Sequence, residues 1–305
     1  MNALPGAANV VTYVDTRELC RKFRDVVASR FADGADTIII SFDPISAARG
    51  LHVEHQCSLR GRVTHLSGVF HPRAYFMNGE RKDRIALNQC VAQAVGYDHL
   101  FFMNEECRRA HAKRWNVDLR GSAIATLPVD MCEDAWAPES SGRLRIVSVG
   151  RLVEFKAYNV EAPKMAALLR DAGLLVTWDI YGDGPLGAEI RNEIERQGVG
   201  DSVRLLGELP YRDFQKTVVG YDLFIGMGTA ALESAMVGVP TICATDGERE
   251  RCYGFLHELP YGNVGEVPAR ATTCLYSIVA NGFCACRALG PEAHFSTVSG
   301  SGDAV

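Results

Sequence analysis

Short apolar runs alternate with stretches of helical period along most of this chain, and that alternation predicts its elements. In the first half a β-like run at Asn9–Val14 precedes a helix over 17–31, with Thr16 as its cap and Leu19, Phe23, Val26 and Val27 on one face. Gly34 ends that helix, and Asp36–Ser41 reads as an apolar strand. Further along come a turn into a helix at 42–49, a strand at 62–66, a helix at 80–95 and a strand at 99–103. Asn104 caps a helix over 105–115, and a strand at 122–127 is closed by Pro128. The polar, turn-rich stretch 130–143 reads as a linker. Beyond it strands are predicted at 145–149, 175–181, 202–206, 223–225 and 239–243. Helices fall between them: one with Pro163 near its start running to Ala172, then 186–196, 211–219, and one that starts near Thr229 and ends at Gly238 and Pro240. Strands and helices alternating in this way predict a doubly wound α/β domain, whose ligands bind beyond the carboxyl ends of the strands.

Those strand ends carry the candidate chemistry. Gly226-Met-Gly228 breaks the fourth strand, and Thr229 stands where it can cap the helix that follows. A Gly-rich turn from strand into helix aims backbone N–H groups and the positive helix end at one spot, which suits a phosphate. Glu233 lies four residues on, on the same helix face, where a carboxylate can accept hydrogen bonds from ribose hydroxyls. Arg151 and Lys156 follow the first strand of this half and can reach the same crevice, Arg as a bidentate fork and Lys as a point charge. Each of these features has a bland reading, as a loop glycine or a solvated cation; their convergence favours an anion site. In the first half, His71 follows a strand beside Gly68 and Pro72, where loops often carry chemistry, although a surface histidine in a proline turn is the competing reading. His65, inside its strand, reads as a core or interface histidine.

Composition narrows the class. At 305 residues, 47% hydrophobic and 23% charged, the chain suits one large or two ordinary soluble domains. A net charge of −5 gives no reason to expect a nucleic-acid surface. Ten cysteines are scattered, mostly in apolar runs such as those around Cys20, Cys90 and Cys243, and no C-x-x-C suggests zinc. Reduced thiols, no leader at Met1–Gly6 and no bilayer-length apolar run predict a cytoplasmic protein.

Five motifs fall in one order and spacing: Val149-Gly150-Arg151-Leu152 with Lys156, Tyr181-Gly-Asp-Gly-Pro185, Val203-Arg-Leu-Leu-Gly207, Tyr221-Asp-Leu-Phe224, and Leu232-Glu233-Ser-Ala-Met-Val-Gly238-Val-Pro240. Together, over about residues 145–266, they resemble the nucleotide-sugar-binding half of GT-B glycosyltransferases, specifically the retaining glycosyltransferase family 4 group. The resemblance implies an α/β protein of two Rossmann-like domains facing a cleft: a shortened acceptor-side domain at 1–135, a nucleotide-sugar-binding domain at 143–270, and a poorly defined tail at 271–305, whose polar end at 296–305 we expect to be disordered. It implies transfer of a sugar from a UDP- or GDP-sugar to a glycan, lipid-linked or polysaccharide acceptor, with no cofactor, no metal and no nucleic-acid partner. Such enzymes often work on lipid-linked acceptors, which would put the protein at the inner membrane face. Carried over by position, Arg151 and Lys156 contact the donor diphosphate, Gly150, Gly228, Thr229 and Ala230 approach the phosphate or sugar, and Glu233 binds the ribose. His71 matches the residue near the transferred sugar. One departure is plain: the family's first glutamate of E-x7-E falls at position 225, which is Ile225 here. That departure, with the short first domain, keeps open a catalytically impaired nucleotide-sugar-binding remnant. A nicotinamide-dependent oxidoreductase is disfavoured, because no Gly-x-Gly-x-x-Gly follows a first strand.

Overall fold

Short apolar runs become strands here, and helices return the chain to the start of the next one. Thr37–Ser41 (β1) is followed by Asp43, whose Oδ1 accepts from the backbone N–H groups of Ile45 at 2.7 Å and Ser46 at 2.8 Å. That cap opens helix α1, Pro44–Gln56. Next come β2 (Val63–Val69), α2 (Lys82–Val95), β3 (Leu100–Phe102), α3 (Glu105–Trp115) and β4 (Ala123–Ile124). Asn104 caps α3 as the sequence predicts, its Oδ1 accepting from Cys107 N–H at 2.8 Å. The chain, a computed structural model described over residues 17–18, 20–23, 25, 36–56, 61–76, 82–126, 128–129, 136–137, 142–259 and 272–280, divides into two units, 1–127 and 128–305. The run expected at 9–14 and the tail beyond 280 lie outside the described residues. Of the helix expected over 17–31, the described residues up to 25 are helical.

In the first unit the four strands pair in parallel, in chain order β1-β2-β3-β4. Strands that always step the same way, joined by right-handed crossovers, place their helices on one face, and α1 and α2 pack together there. His65 is buried, as expected, with Nε2 2.7 Å from Ser41 Oγ. Cys90 lies exposed on α2, contrary to the expectation of a core thiol, because its apolar neighbours point elsewhere around the helix.

The second unit is doubly wound. Its strands are β5 (Leu144–Val149), β6 (Val176–Tyr181), β7 (Val203–Gly207), β8 (Leu223–Gly226), β9 (Thr241–Ala244), β10 (Arg251–Phe255) and β11 (Thr273–Cys274), and its helices are α4 (Tyr158–Asp171), α5 (Gly187–Gln197), α6 (Phe214–Val218) and α7 (Thr229–Met236). The sheet order is β11-β10-β9-β8-β5-β6-β7, parallel from β9 to β7. The chain steps outward from β5 to β7, then returns to β8 on the other side of β5. That reversal moves the helices to the opposite face. Alternate residues record it: Ile146, Trp178, Ile180, Leu223 and Ile225 pack against α4 and α5, while Val147 and Phe224 pack against Phe214 and Val218 of α6 and Ala231 of α7.

Four expectations change. Helix α4 begins at Tyr158, so Pro163 lies inside it, and Val160 and Ala162 are core residues that extend the helix ahead of the proline. Tyr211–Asp213 forms a 3₁₀ turn and α6 starts only at Phe214. Thr229 is the first helical residue, not the cap; the cap position is Gly228, at φ 70° and ψ −151°, with no side-chain cap hydrogen bond. The stretch after Thr245 holds an antiparallel strand, β10, where only loop was expected. A register shift between Cys252 and Gly254 interrupts its alternation, which hides it from period-two reasoning.

Candidate functional site

The place where strand order reverses leaves a crevice at the carboxyl ends of β5 and β8. A pocket of about 390 Å³ opens there, lined by Gly150, Arg151, Phe155 and Lys156 from the loop after β5, by Gly228 at the cap of α7 with Thr229, Ala230 and Glu233 from that helix, and by Leu209, Tyr211 and Phe214. Seven of the eight residues picked from sequence therefore meet in one pocket. The eighth, His71, belongs to the first unit, two residues beyond β2, where its Nδ1 accepts from the Arg73 backbone N–H at 3.0 Å.

Gly150 explains why the cations stand where they do. Its φ is +148°, and a methyl group at that position would overlap the Lys156 ammonium. The missing side chain lets Lys156 fold back over the backbone. Burial, and then the neighbouring Arg151 guanidinium, hold the Lys156 ammonium below the ordinary lysine range. Arg151 itself is exposed.

The loop is backed by the Gly182-Asp-Gly184 turn. A methyl on Gly182 would overlap the Gly150 carbonyl, and one on Gly184 the Leu152 carbonyl. Backbone hydrogen bonds join the two loops, Gly150 N–H to Tyr181 O at 2.9 Å and Leu152 N–H to Asp183 O at 2.8 Å. The turn thus acts on the pocket through the backbone of the Arg151 loop. The Asp183 carboxylate is spent locally, accepting from Gly184 N–H at 2.7 Å.

On the facing wall, α7 brings its first backbone N–H groups to the pocket, and those groups have no acceptor within a helix. Glu233 lies one turn further on the same face, only 6% exposed, with the Tyr211 hydroxyl 3.4 Å from its Oε1. Two cations and a helix N-terminus suit a polyanion, and a buried carboxylate beside them suits a hydroxyl-bearing group attached to it. Ile225 has no part in this. It is fully buried in the apolar core on the α4 side and does not line the pocket, so the residue at this position is fixed by packing. Sequence reasoning missed Phe155 and Tyr211; the strand-end rule points to their loops, but nothing in their spacing sets them apart from core aromatics.

No protein-family model matches the chain. It is 31% identical over 97 residues to the amylovoran biosynthesis glycosyltransferase AmsK of Erwinia amylovora, covering 32% of this chain and 24% of that protein. It is 27% identical over 134 residues to the putative colanic acid biosynthesis glycosyltransferase WcaL of Escherichia coli K12, covering 39% of this chain and 33% of that protein. The matches thus span between a quarter and a third of the relatives' own length. Among solved structures, a mutant of S. aureus TarM in complex with fondaparinux, α-GlcNAc-glycerol and UDP superposes with a TM-score of 0.54 at 16% identity, over 73% of this chain and 44% of that one. The fold is that of GT-B glycosyltransferases. In GT-B terms the pocket lies in the second unit, at its topological switch point. Among the described residues no group of three or more His, Cys, Asp or Glu side chains could hold a metal ion, and no helix is long and apolar enough to cross a membrane.

Proposed function

We propose that this chain is a glycosyltransferase of polysaccharide biosynthesis, and that the pocket binds a nucleotide-sugar donor. One observation carries the reading: Arg151, Lys156, the α7 N-terminus and the buried Glu233 line a single pocket at the strand-order reversal. The names of the two relatives and the UDP held by TarM support it. In this reading Glu233 accepts from the ribose hydroxyls. Arg151, Lys156 and the N–H groups of Gly228, Thr229 and Ala230 neutralise the diphosphate. As the bond from the sugar C1 to the diphosphate oxygen breaks, negative charge builds on that oxygen, and groups already in place stabilise it without reorganising. These cations do so with no metal ion. The motif order favours the retaining family 4 group, a UDP- or GDP-sugar donor, and a glycan or lipid-linked acceptor, the last placing the protein at a membrane face. The assignment of His71 to the transferred sugar rests on the resemblance alone.

The alternative, a binding-only remnant, draws its support from Ile225 at the position of the family's first glutamate and from the shortened first domain. Turnover separates the two readings. The protein is incubated with UDP- and GDP-sugars and a set of glycan acceptors, and nucleoside diphosphate release is measured. Thermal shift with UDP, GDP and ADP runs in parallel, with Glu233→Ala as control. Release that depends on acceptor is expected, together with a raised melting temperature for one nucleotide. Loss of the Glu233 hydrogen bonds is worth about 1.5–3 kcal/mol, so Glu233→Ala should weaken that nucleotide roughly 10- to 150-fold. A shift without release across the panel would leave only the binding reading, and neither would defeat both.

A further inference from the structure

We infer that Phe155 is a positioning residue for the diphosphate site: its ring stands against both the Arg151 and the Lys156 charge and holds both cations at the pocket wall. This rests on the nucleotide-sugar reading of the pocket. The Arg151 guanidinium carbon stands 5.7 Å from the ring centroid and the Lys156 ammonium nitrogen 6.0 Å. Both distances fall within the range where a cation is drawn to an aromatic face. Phe155 has no place in the core to explain it. Among the described residues it belongs neither to the cluster on the α4 side nor to that on the α6 side, is 37% exposed, and faces the pocket.

Two like charges must share this loop before any phosphate arrives, and each raises the cost of the other. A ring that attracts both lowers that cost, and it replaces the water that would otherwise solvate them. The backbone fixes the ring in place. Phe155 is the middle residue of the 3₁₀ turn Glu154–Lys156, and its carbonyl accepts from Gly247 N–H at 3.1 Å, tying the turn to the loop after β9. Arg151 and Glu154 share the Lys156 loop, Asp246 sits in the loop packed on Phe155, and Glu233 and the Tyr211 phenol line the rest of the pocket. The Lys156 ammonium is already held low by burial and by Arg151. Without the ring it should lose its proton at a still lower pH.

The test uses the full chain as wild type, Phe155→Leu and Phe155→Trp. Competitive acetylation of Lys156 across pH, read by mass spectrometry, needs no ligand. With Phe155→Leu the labelling curve should move about 0.5–1 pH lower, and Phe155→Trp should restore it. A curve that stays put, or moves higher because a smaller side chain admits water, overturns the inference. In parallel, inorganic pyrophosphate affinity should fall roughly 5- to 30-fold in Phe155→Leu and recover in Phe155→Trp, while uridine and guanosine binding stays unchanged. Equal losses for nucleoside and pyrophosphate would make Phe155 a direct nucleoside contact and also overturn it. Should wild type bind no nucleoside diphosphate at all, the nucleotide-sugar reading falls, and the acetylation curve still decides the role of Phe155.

Discussion

Gly150→Ala separates the pocket's geometry from its general stability. The substitution adds one methyl group to a residue at φ +148°, and that methyl overlaps the Lys156 ammonium. The backbone strain is worth about 1–3 kcal/mol. The overlap itself is cheap to relieve, because the end of a lysine is flexible and swings away. The swing moves the ammonium off the phosphate position and removes a charge-assisted hydrogen bond of about 1.5–3 kcal/mol. The variant should therefore fold with a lowered melting temperature and bind its nucleoside diphosphate roughly 10- to 150-fold more weakly. Gly173→Ala is the matched control. That residue sits at φ +77° with nothing within 4 Å of the added methyl and lies outside the pocket lining, so it should lose stability and keep its affinity. Calorimetry with UDP and GDP, beside thermal melts, reads both quantities. Equal affinity in wild type and Gly150→Ala, with matched stability losses in the two variants, would refute the placement of Lys156 over Gly150 as the reason for the glycine.

Two more outcomes follow from the packing. Gly182→Ala puts a methyl against the Gly150 carbonyl, where backbone cannot yield cheaply, so it should cost about 2–5 kcal/mol and lower affinity as well, by displacing the Arg151 loop; a melt within a degree of wild type would rule that contact out. His111 in the first unit is fully buried among Tyr75, Phe76, Phe102 and Trp115. Burial is the largest influence on its imidazole and brings it down from 6.5 to about 4, with His71 adding to the fall and the Cys107 carbonyl opposing it. The folded value lies below the unfolded one, so this contribution is whole above pH 6.5 and drains away as pH falls toward 4, amounting to about 3 kcal/mol. His111→Phe should remove that acid loss, and urea melts of the two proteins at pH 7.5 and 4.5 check it. The same pH sensitivity in the variant would place the titrating group elsewhere.

How far the sequence carried depended on how local each cause was. Strand and helix order in the second unit was legible because short apolar runs and stretches of helical period are local signals. The pocket residues were legible for the same reason, since Arg151, Lys156, Gly228 and Glu233 follow strand ends, where a parallel sheet gathers its ligands. Non-local facts stayed hidden. Only the sheet order, with β8 beside β5, brings the two loops to one crevice. Which face of β8 a residue takes is set by the helices packed on each side, and that is why the burial of Ile225 in the core on the α4 side could not be read from its neighbours in sequence. The roles of Gly182 and Gly184 are contacts with another loop's carbonyls, invisible until the loops are side by side. Phe155 shows the same limit: an aromatic in a loop reads as nothing in particular until two cations are seen standing against its ring. Sequence by itself determined most of the elements and pointed to the kind of ligand proposed; tertiary packing decided which side chains line the pocket, because burial and like-charge proximity exist only once the chain has closed on itself.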